Sequence, residues 1–429
     1  MMSISAIVGA NWGDEGKGKI TDVFAGQADM VIRFQGGSNA GHTIINQYGK
    51  FALHLLPSGV FYPDVMNVIG PGVAVNIPLL LKERRELISR GVPEPTLLVS
   101  ERAQIVMPYH IQFDTLEEAR LGERGFGSTK AGIGPFYADK YAKIGIQLGD
   151  LFDKELLRER VAGVLEVKNL LLTQLYNQPA LSLNSLLEEL QCQAEAIRPF
   201  LCNTDVLVHG AIRDGKRILL EGQLGALRDP DHGIYPYSTS SSPLAGFASV
   251  GAGIPPYLIT NIVVVVKAYS SCVGAGPFVT ELSENDAHEL RKRGGDAGEY
   301  GATTGRPRSV GWFDAVATRY GCSLQGATAV ALTLVDVLGY LDEIPICTAY
   351  DIRGESVTDF PMTAELAHAK PVLESMPGWR CDISAIRDFA SLPAQARGYI
   401  RRVEELIDVP IRWVSVGPHR NAILEVPQR

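Results

Sequence analysis

Cysteine is scarce in this chain and follows no pattern. The six residues, Cys192, Cys202, Cys272, Cys322, Cys347 and Cys381, include no C-x-x-C pair. That argues against a zinc site or a disulfide framework and for reduced thiols in a cytosol. A basic surplus is also missing. The formal charge of −8 argues against a general nucleic-acid or membrane binder, because phosphate surfaces attract basic ones. No long hydrophobic run exists. The most apolar stretch, Ile262 to Val266, is too short to span a bilayer and reads as a buried strand. The opening MMSISAIVGANWGDE has neither a basic start nor a long apolar segment, so no signal peptide is expected. Internal repeats, low-complexity tracts and obvious linkers are absent too.

What remains is ordinary globular composition: of 429 residues, 46% are hydrophobic and 21% charged. Length alone suggests about two or three domains. Glycine-rich loops collecting at strand ends favour one large α/β unit over 1–429, because ligands of open α/β sheets bind there. Strands are expected at Ala6–Val8, Met30–Phe34, Ile218–Leu220, Ile262–Ala268, Ala329–Thr333 and Ile346–Tyr350. Pro345, lacking an N–H, suits a strand start or a sheet edge. A helix is expected from Pro78 to Ser89, stopped at Gly91 and burying Leu79, Leu80, Leu87 and Ile88. Helical periodicity and few glycines mark a helical insert at about 154–205.

Gly13 to Lys19, GDEGKGK, has the G-x-x-x-x-G-K spacing of a phosphate-binding loop, between a strand and a helix beginning near Lys19. Two things are unusual. The next residue is Ile20, where a metal-binding hydroxyl is the rule. Asp14 and Glu15 are carboxylates in a loop meant for phosphates, which makes sense if a metal or a proton transfer needs them. FQGGSNAGHT, Phe34 to Thr43, exposes backbone groups around Asn39 and His42; a histidine there suits acid catalysis or phosphoryl stabilisation.

Other segments are less specific. GSTKAGIGPFYADKYAK, Gly127 to Lys143, offers hydroxyls and lysines. Glu221 to Ser241 holds Asp229, Asp231 and His232 at a spacing of no metal motif, so a structural turn is expected. GATTGRPR, Gly301 to Arg308, is suited to clamp a carboxylate or phosphate. LTLVD, Leu332 to Asp336, sets a carboxylate after a buried strand, where it can accept from a guanine edge.

Taken together, WGDEGKGK, QGGSNAGHT, DHGIYPY, KAYSSCVGAGPF and GATTGRPR, in that order, resemble the adenylosuccinate synthetase family, from Gly9 to about Arg420. The resemblance implies an α/β homodimer with a large, mainly parallel central sheet, flanking helices and a P-loop-like GTP site. It also implies a cytoplasmic, GTP-dependent ligase of purine biosynthesis that joins IMP to L-aspartate with one Mg²⁺ per subunit, through 6-phosphoryl-IMP. Neither nucleic acid nor membrane is an implied partner. The metal would be held by Asp14 and the backbone of Gly41, so no hydroxyl after Lys19 is needed. Asp14 would take the N1 proton of IMP, His42 would act as an acid in phosphoryl transfer, and Lys17 would neutralise the transferring group.

By the same resemblance, IMP and aspartate would meet Asp14, Glu15, Gly16, Lys17, Asn39, Ala40, Gly41, His42, Thr129, Lys143, Gln223, Leu224, Thr239, Thr303, Thr304 and Arg306. GTP would meet Gly13 to Lys19 (Gly16 and Gly18 included), Gly41, His42, Thr43, Arg308, Leu334, Val335, Asp336, Ser415, Val416 and Gly417. Three positions depart from the family pattern. Lys143 replaces an arginine that reaches the partner's IMP, Leu224 replaces a glutamine with Gln223 beside it, and Leu334 replaces a lysine beside Asp336. All three touch recognition, so the alternative is a paralogue acting on another purine-like nucleotide or using another triphosphate. A GTP switch would want a Lys-Asp guanine motif and a hydroxyl after Lys19. A dehydrogenase would want G-x-G-x-x-G. The sequence has none of these.

Overall fold

The computed structural model describes residues 4–295, 298–300, 305 and 307–428. At its centre is a ten-stranded sheet. From one edge the strands are Ile423–Glu425, Ile411–Ser415, Ala329–Thr333, Ile259–Lys267, Ile4–Gly9, Ile218–Gly225, Met30–Arg33, Met66–Ile69, Leu97–Ser100 and Leu201–Cys202. Only the outermost pair, Ile423–Glu425 with Ile411–Ser415, is antiparallel; the others are parallel. The expected mainly parallel sheet is therefore present.

Ile4–Gly9 is central and buried at all six positions, as a strand covered on both faces should be. Its neighbours are Ile218–Gly225 and Ile259–Lys267. The chain thus leaves the first strand at the carboxyl ends of two others, where open α/β sheets form ligand crevices. The Ile218–Gly225 strand runs further than expected and carries Glu221 and Gln223, both fully buried, against the second glycine loop.

The helix expected near Pro78 spans Ile77–Ser89, with Asn76 Oδ1 accepting from Leu79 N at 3.0 Å. Leu80 and Leu87 are buried as expected; Ile77 and Glu83 complete the stripe, while Leu79 and Ile88 are only half-buried. Glu83 is inside because its carboxylate accepts from the N–H groups of His54, Leu55 and Leu56. The helical insert is Lys154–Leu170, a wider turn at Leu171–Leu175, and Leu183–Ile197. Leu157, Val161, Val164 and Leu165 pack with Leu186, Leu190, Ala194 and Ile197 in one apolar cluster. Its expected end at 205 is too late, because Leu201–Cys202 joins the sheet edge and a new helix, Thr204–Arg213, has begun.

A second sheet exceeds the single strand expected near Ile346. Glu343–Ile352 pairs with Ala369–Pro377 and Glu355–Val357 antiparallel and with Phe313–Asp314 parallel. Phe313 pairs first with Ile346, so Pro345 has no strand opposite it on that side. Among the described residues no helix is long and apolar enough to cross a membrane.

Candidate active site

The phosphate-type loop closes on itself. Gly16 caps the helix Lys17–Ala25 with φ 85°, a conformation open to glycine and costly for other residues. Glu15 is buried beneath the loop. Its carboxylate accepts from the N–H groups of Asn11 (3.1 Å) and Gly13 (2.9 Å) and pairs with Lys17. A loop carboxylate thus takes donors that a phosphate would otherwise find, and this braces the turn. Trp12 packs edge-on against Phe278 behind it. Asp14 faces the other way, with φ 59°, and its Oδ2 lies 3.2 Å from Arg308 Nε.

The second glycine loop brings His42 against the first turn of that helix. A Cβ on Gly18 would stand 2.9 Å from the His42 Cβ, so the approach requires glycine. His42 Nδ1 lies 2.6 Å from Glu221 Oε1. Glu221 is fully buried and also accepts from Ser58 N (2.7 Å) and Ser58 Oγ (2.9 Å). Burial alone would raise its pKa, but these bonds and the charge of Arg33 hold it below the usual carboxylate range. An ionised carboxylate only accepts, so Nδ1 carries the proton. Nε2 is buried without a hydrogen-bond partner. Burial lowers the His42 pKa more than Glu221 raises it. A negative phosphoryl group beside Nε2 would favour the imidazolium.

Next to Asp14, Lys267 Nζ and Arg308 Nη1 reach the buried Glu299 at 2.6 and 2.8 Å. Burial pushes Glu299 up, yet the two cations outweigh it and hold its pKa at about 2. The wall also includes Leu334, Asp336, Ser415 and Gly417. Lys19 reaches the last two, with Nζ donating to Ser415 Oγ (2.8 Å), Gly417 O (2.6 Å) and Ala422 O (3.0 Å). Burial brings its pKa down to about 7, against the attraction of Asp336.

One cavity of 420 Å³ therefore gathers Asp14, Gly16, Lys17, Gly18, Lys19, Ala40, Gly41, His42, Thr43, Leu224, Arg308, Leu334, Asp336, Ser415 and Gly417. Gly13, Glu15, Asn39, Gln223, Val335 and Val416 are not on its wall, nor are Thr129, Lys143 and Thr239. Two of these differ plainly from expectation. Glu15 is turned under its own loop, and Gln223 is fully buried with its amide bonded to the second loop rather than facing a ligand. Thr303, Thr304 and Arg306 lie outside the described residues. Sequence reasoning missed Glu221, Lys267 and Glu299 as site residues. For Glu221 a signal existed: a carboxylate closing an apolar strand beside a glycine.

Among the described residues no three metal-ligating side chains cluster. Mg²⁺ needs no such cage, since it binds through one or two carboxylates with water and substrate phosphates. Asp14, on the cavity wall with Gly41 and Lys17, fits that mode.

Comparison with known proteins follows the same lines. The adenylosuccinate synthetase family model matches residues 6–424. An adenylosuccinate synthetase of Dehalococcoides mccartyi is 47% identical over 98% of this chain and 99% of its own. One of Frankia alni is 45% identical over 99% of each. The structure of a fully ligated adenylosuccinate synthetase from Plasmodium falciparum superposes with a TM-score of 0.92 at 35% identity, over 99% of this chain and 100% of the other. A cyanophage succinoaminodeoxyadenylate synthetase shares the fold at TM-score 0.60 and 17% identity. With its phosphate loop, second glycine loop and parallel sheet in this arrangement, the chain belongs to the adenylosuccinate synthetase family.

Proposed function

We infer that this cavity ligates L-aspartate to IMP at the expense of GTP, giving adenylosuccinate, GDP and phosphate. The observation that carries the reading is the convergence of Asp14, Lys17 and His42, from two glycine loops, on one cavity whose wall also holds Asp336. In this reading Asp14 takes the N1 proton of IMP, and the 6-oxygen then attacks the γ-phosphorus while GDP leaves. The aspartate amine next attacks carbon 6 and phosphate departs, a better leaving group than the oxygen it replaced. His42 donates from Nε2 toward the transferring phosphoryl group, held by Glu221 at Nδ1. Mg²⁺, one per subunit, would be held by the Asp14 carboxylate and the Gly41 carbonyl and would neutralise phosphate charge. Asn39, Thr129 and Thr239 are assigned to IMP, Arg308 to the GTP side, and Thr303, Thr304 and Arg306 to aspartate. We read 1–429 as one unit, place it in the cytoplasm on the six free thiols, and assign it a homodimer completed by Lys143.

The test combines Mg²⁺ and aspartate with each of GTP, ATP and ITP and each of IMP, deoxy-IMP and GMP. Succinylated product and phosphate are expected fastest with GTP and IMP. ATP equal to or above GTP in kcat/KM would favour the paralogue instead. Asp14→Asn should cut turnover by about 10²–10⁴-fold, the range for a lost general base. A variant that keeps more than about a tenth of the rate overturns that role, since its loss falls below this range.

A further inference from the structure

Two residues on one face of the strand Ile218–Gly225 grip the second glycine loop. Side chains alternate along a strand, so positions 221 and 223 share a face. Glu221 holds the imidazole of His42. Gln223 holds the backbone just before it. Its Nε2 donates to Gly37 O (3.0 Å) and Ala40 O (2.8 Å), and its Oε1 accepts from Gly37 N (3.1 Å). The side chain is fully buried. Among the described residues Gln223 is the only side chain hydrogen-bonded to residues 37–41. The next residue, Leu224, has φ 65° and lines the cavity instead.

The loop needs such a brace. GGSNAGH is rich in glycine, which loses more backbone freedom on ordering than any other residue. Buried hydrogen bonds in a low-dielectric interior offset that loss better than exposed ones. A ring fixed at Nδ1 alone still moves with its Cα. We propose that Gln223 is a positioning residue for phosphoryl transfer: it fixes the Gly37–Ala40 backbone so that His42 presents Nε2 to the transferring group. This rests on the assignment of His42 to that step.

The experiment compares Gln223→Ala, Gln223→Met and His42→Asn in single-turnover cleavage of GTP with saturating IMP and aspartate. Met keeps the length and volume but has no amide, so a cavity is not the variable. Misplacement by about 1 Å can cost about 10²-fold, so the rate constant should fall at least about tenfold in both Gln223 variants. The KM for GTP should move less than about threefold, because Gln223 contributes to the transition state through His42 and touches no nucleotide. With folded enzyme kept in saturating excess over GTP, a partly unfolded population leaves the rate constant unchanged. A smaller fall in the rate constant, or a loss confined to KM, overturns the proposal. If His42→Asn is slow while both Gln223 variants are fast, Gln223 loses its role and that of His42 stands. If His42→Asn is itself fast, the His42 reading has failed first.

Discussion

Asp336 lines the cavity and is half-buried. Burial raises its pKa to about 6, against the charge of Lys19 and with the help of Asp382. To accept from guanine N1–H and the 2-amino group it must be ionised. Below about pH 6 it is increasingly protonated, so the preference for GTP over ATP should fade as pH falls. The fold responds in the opposite sense. A carboxyl whose folded pKa is raised contributes stability in its neutral form, fully present below the unfolded value and lost as pH rises through about 6. The ionised fraction drops about tenfold per pH unit, so the ratio of kcat/KM for GTP to that for ATP should fall by about that factor on the acid side. Asp336→Asn should flatten the profile. A ratio independent of pH in the unmodified protein would remove Asp336 from base recognition. Leu334 beside it has φ 56° and its side chain offers no polar group, so in the proposed reading discrimination would rest mainly on the carboxylate. At this scale the sequence was informative where a reactive side chain interrupted a glycine loop or ended a strand, as with Asp14, His42 and Asp336. Glu221 was less visible as a partner because it meets His42 across 179 positions of sequence. Gln223 reads as a ligand contact in the sequence because it adjoins the position where the resemblance implies a glutamine; the strand runs past it to Gly225 and turns its amide to the second loop instead.

At the scale of elements, the first helix and the C-terminal loop act as one piece. Lys19 makes three hydrogen bonds to residues 415–422, and Arg420 Nη2 meets Asp22 Oδ1 at 2.7 Å. The loop carrying Ser415 and Gly417 is thus tied to the helix that follows the phosphate loop. Hydrogen bonds from a charged group are worth about 1.5–3 kcal/mol each. Lys19→Met should therefore raise the KM for GTP at least about tenfold and speed amide exchange across 415–422, with little change for IMP at saturating GTP. Arg420→Leu should speed the same exchange. If exchange there is unaltered in both variants, the tie is not what orders the loop. The core strands and the insert helices were readable because apolar runs and helical stripes are local signals. The second sheet was not. Ala369–Pro377 has a mixed burial pattern and contains two prolines, Pro371 and Pro377, so nothing local separates it from a loop. What makes it a strand is pairing with Glu343–Ile352.

The order of strands is a property of the whole chain. Ile4–Gly9 is flanked by strands that begin at Ile218 and Ile259, and no short window of sequence contains that pairing. Lys143 poses the same question between subunits. It follows the helix Ile133–Tyr141, is exposed, and does not line its own cavity. A lysine keeps the charge of an arginine but not its planar fork, which suits it to a single charge-assisted contact with a phosphate. If Lys143 completes the IMP site of a partner, each site takes Asp14 from one subunit and Lys143 from the other. Lys143→Ala should then weaken IMP binding. Mixed with Asp14→Asn, it should recover activity, because a hybrid dimer has one site with both residues intact and one with both lost. With random exchange half of the dimers are hybrids, each with one of two sites working, so about a quarter of the unmodified activity is expected from symmetry alone. Activity is measured before and after subunit exchange is verified on differently tagged chains. No recovery among verified hybrids would mean that Lys143 serves its own subunit or none.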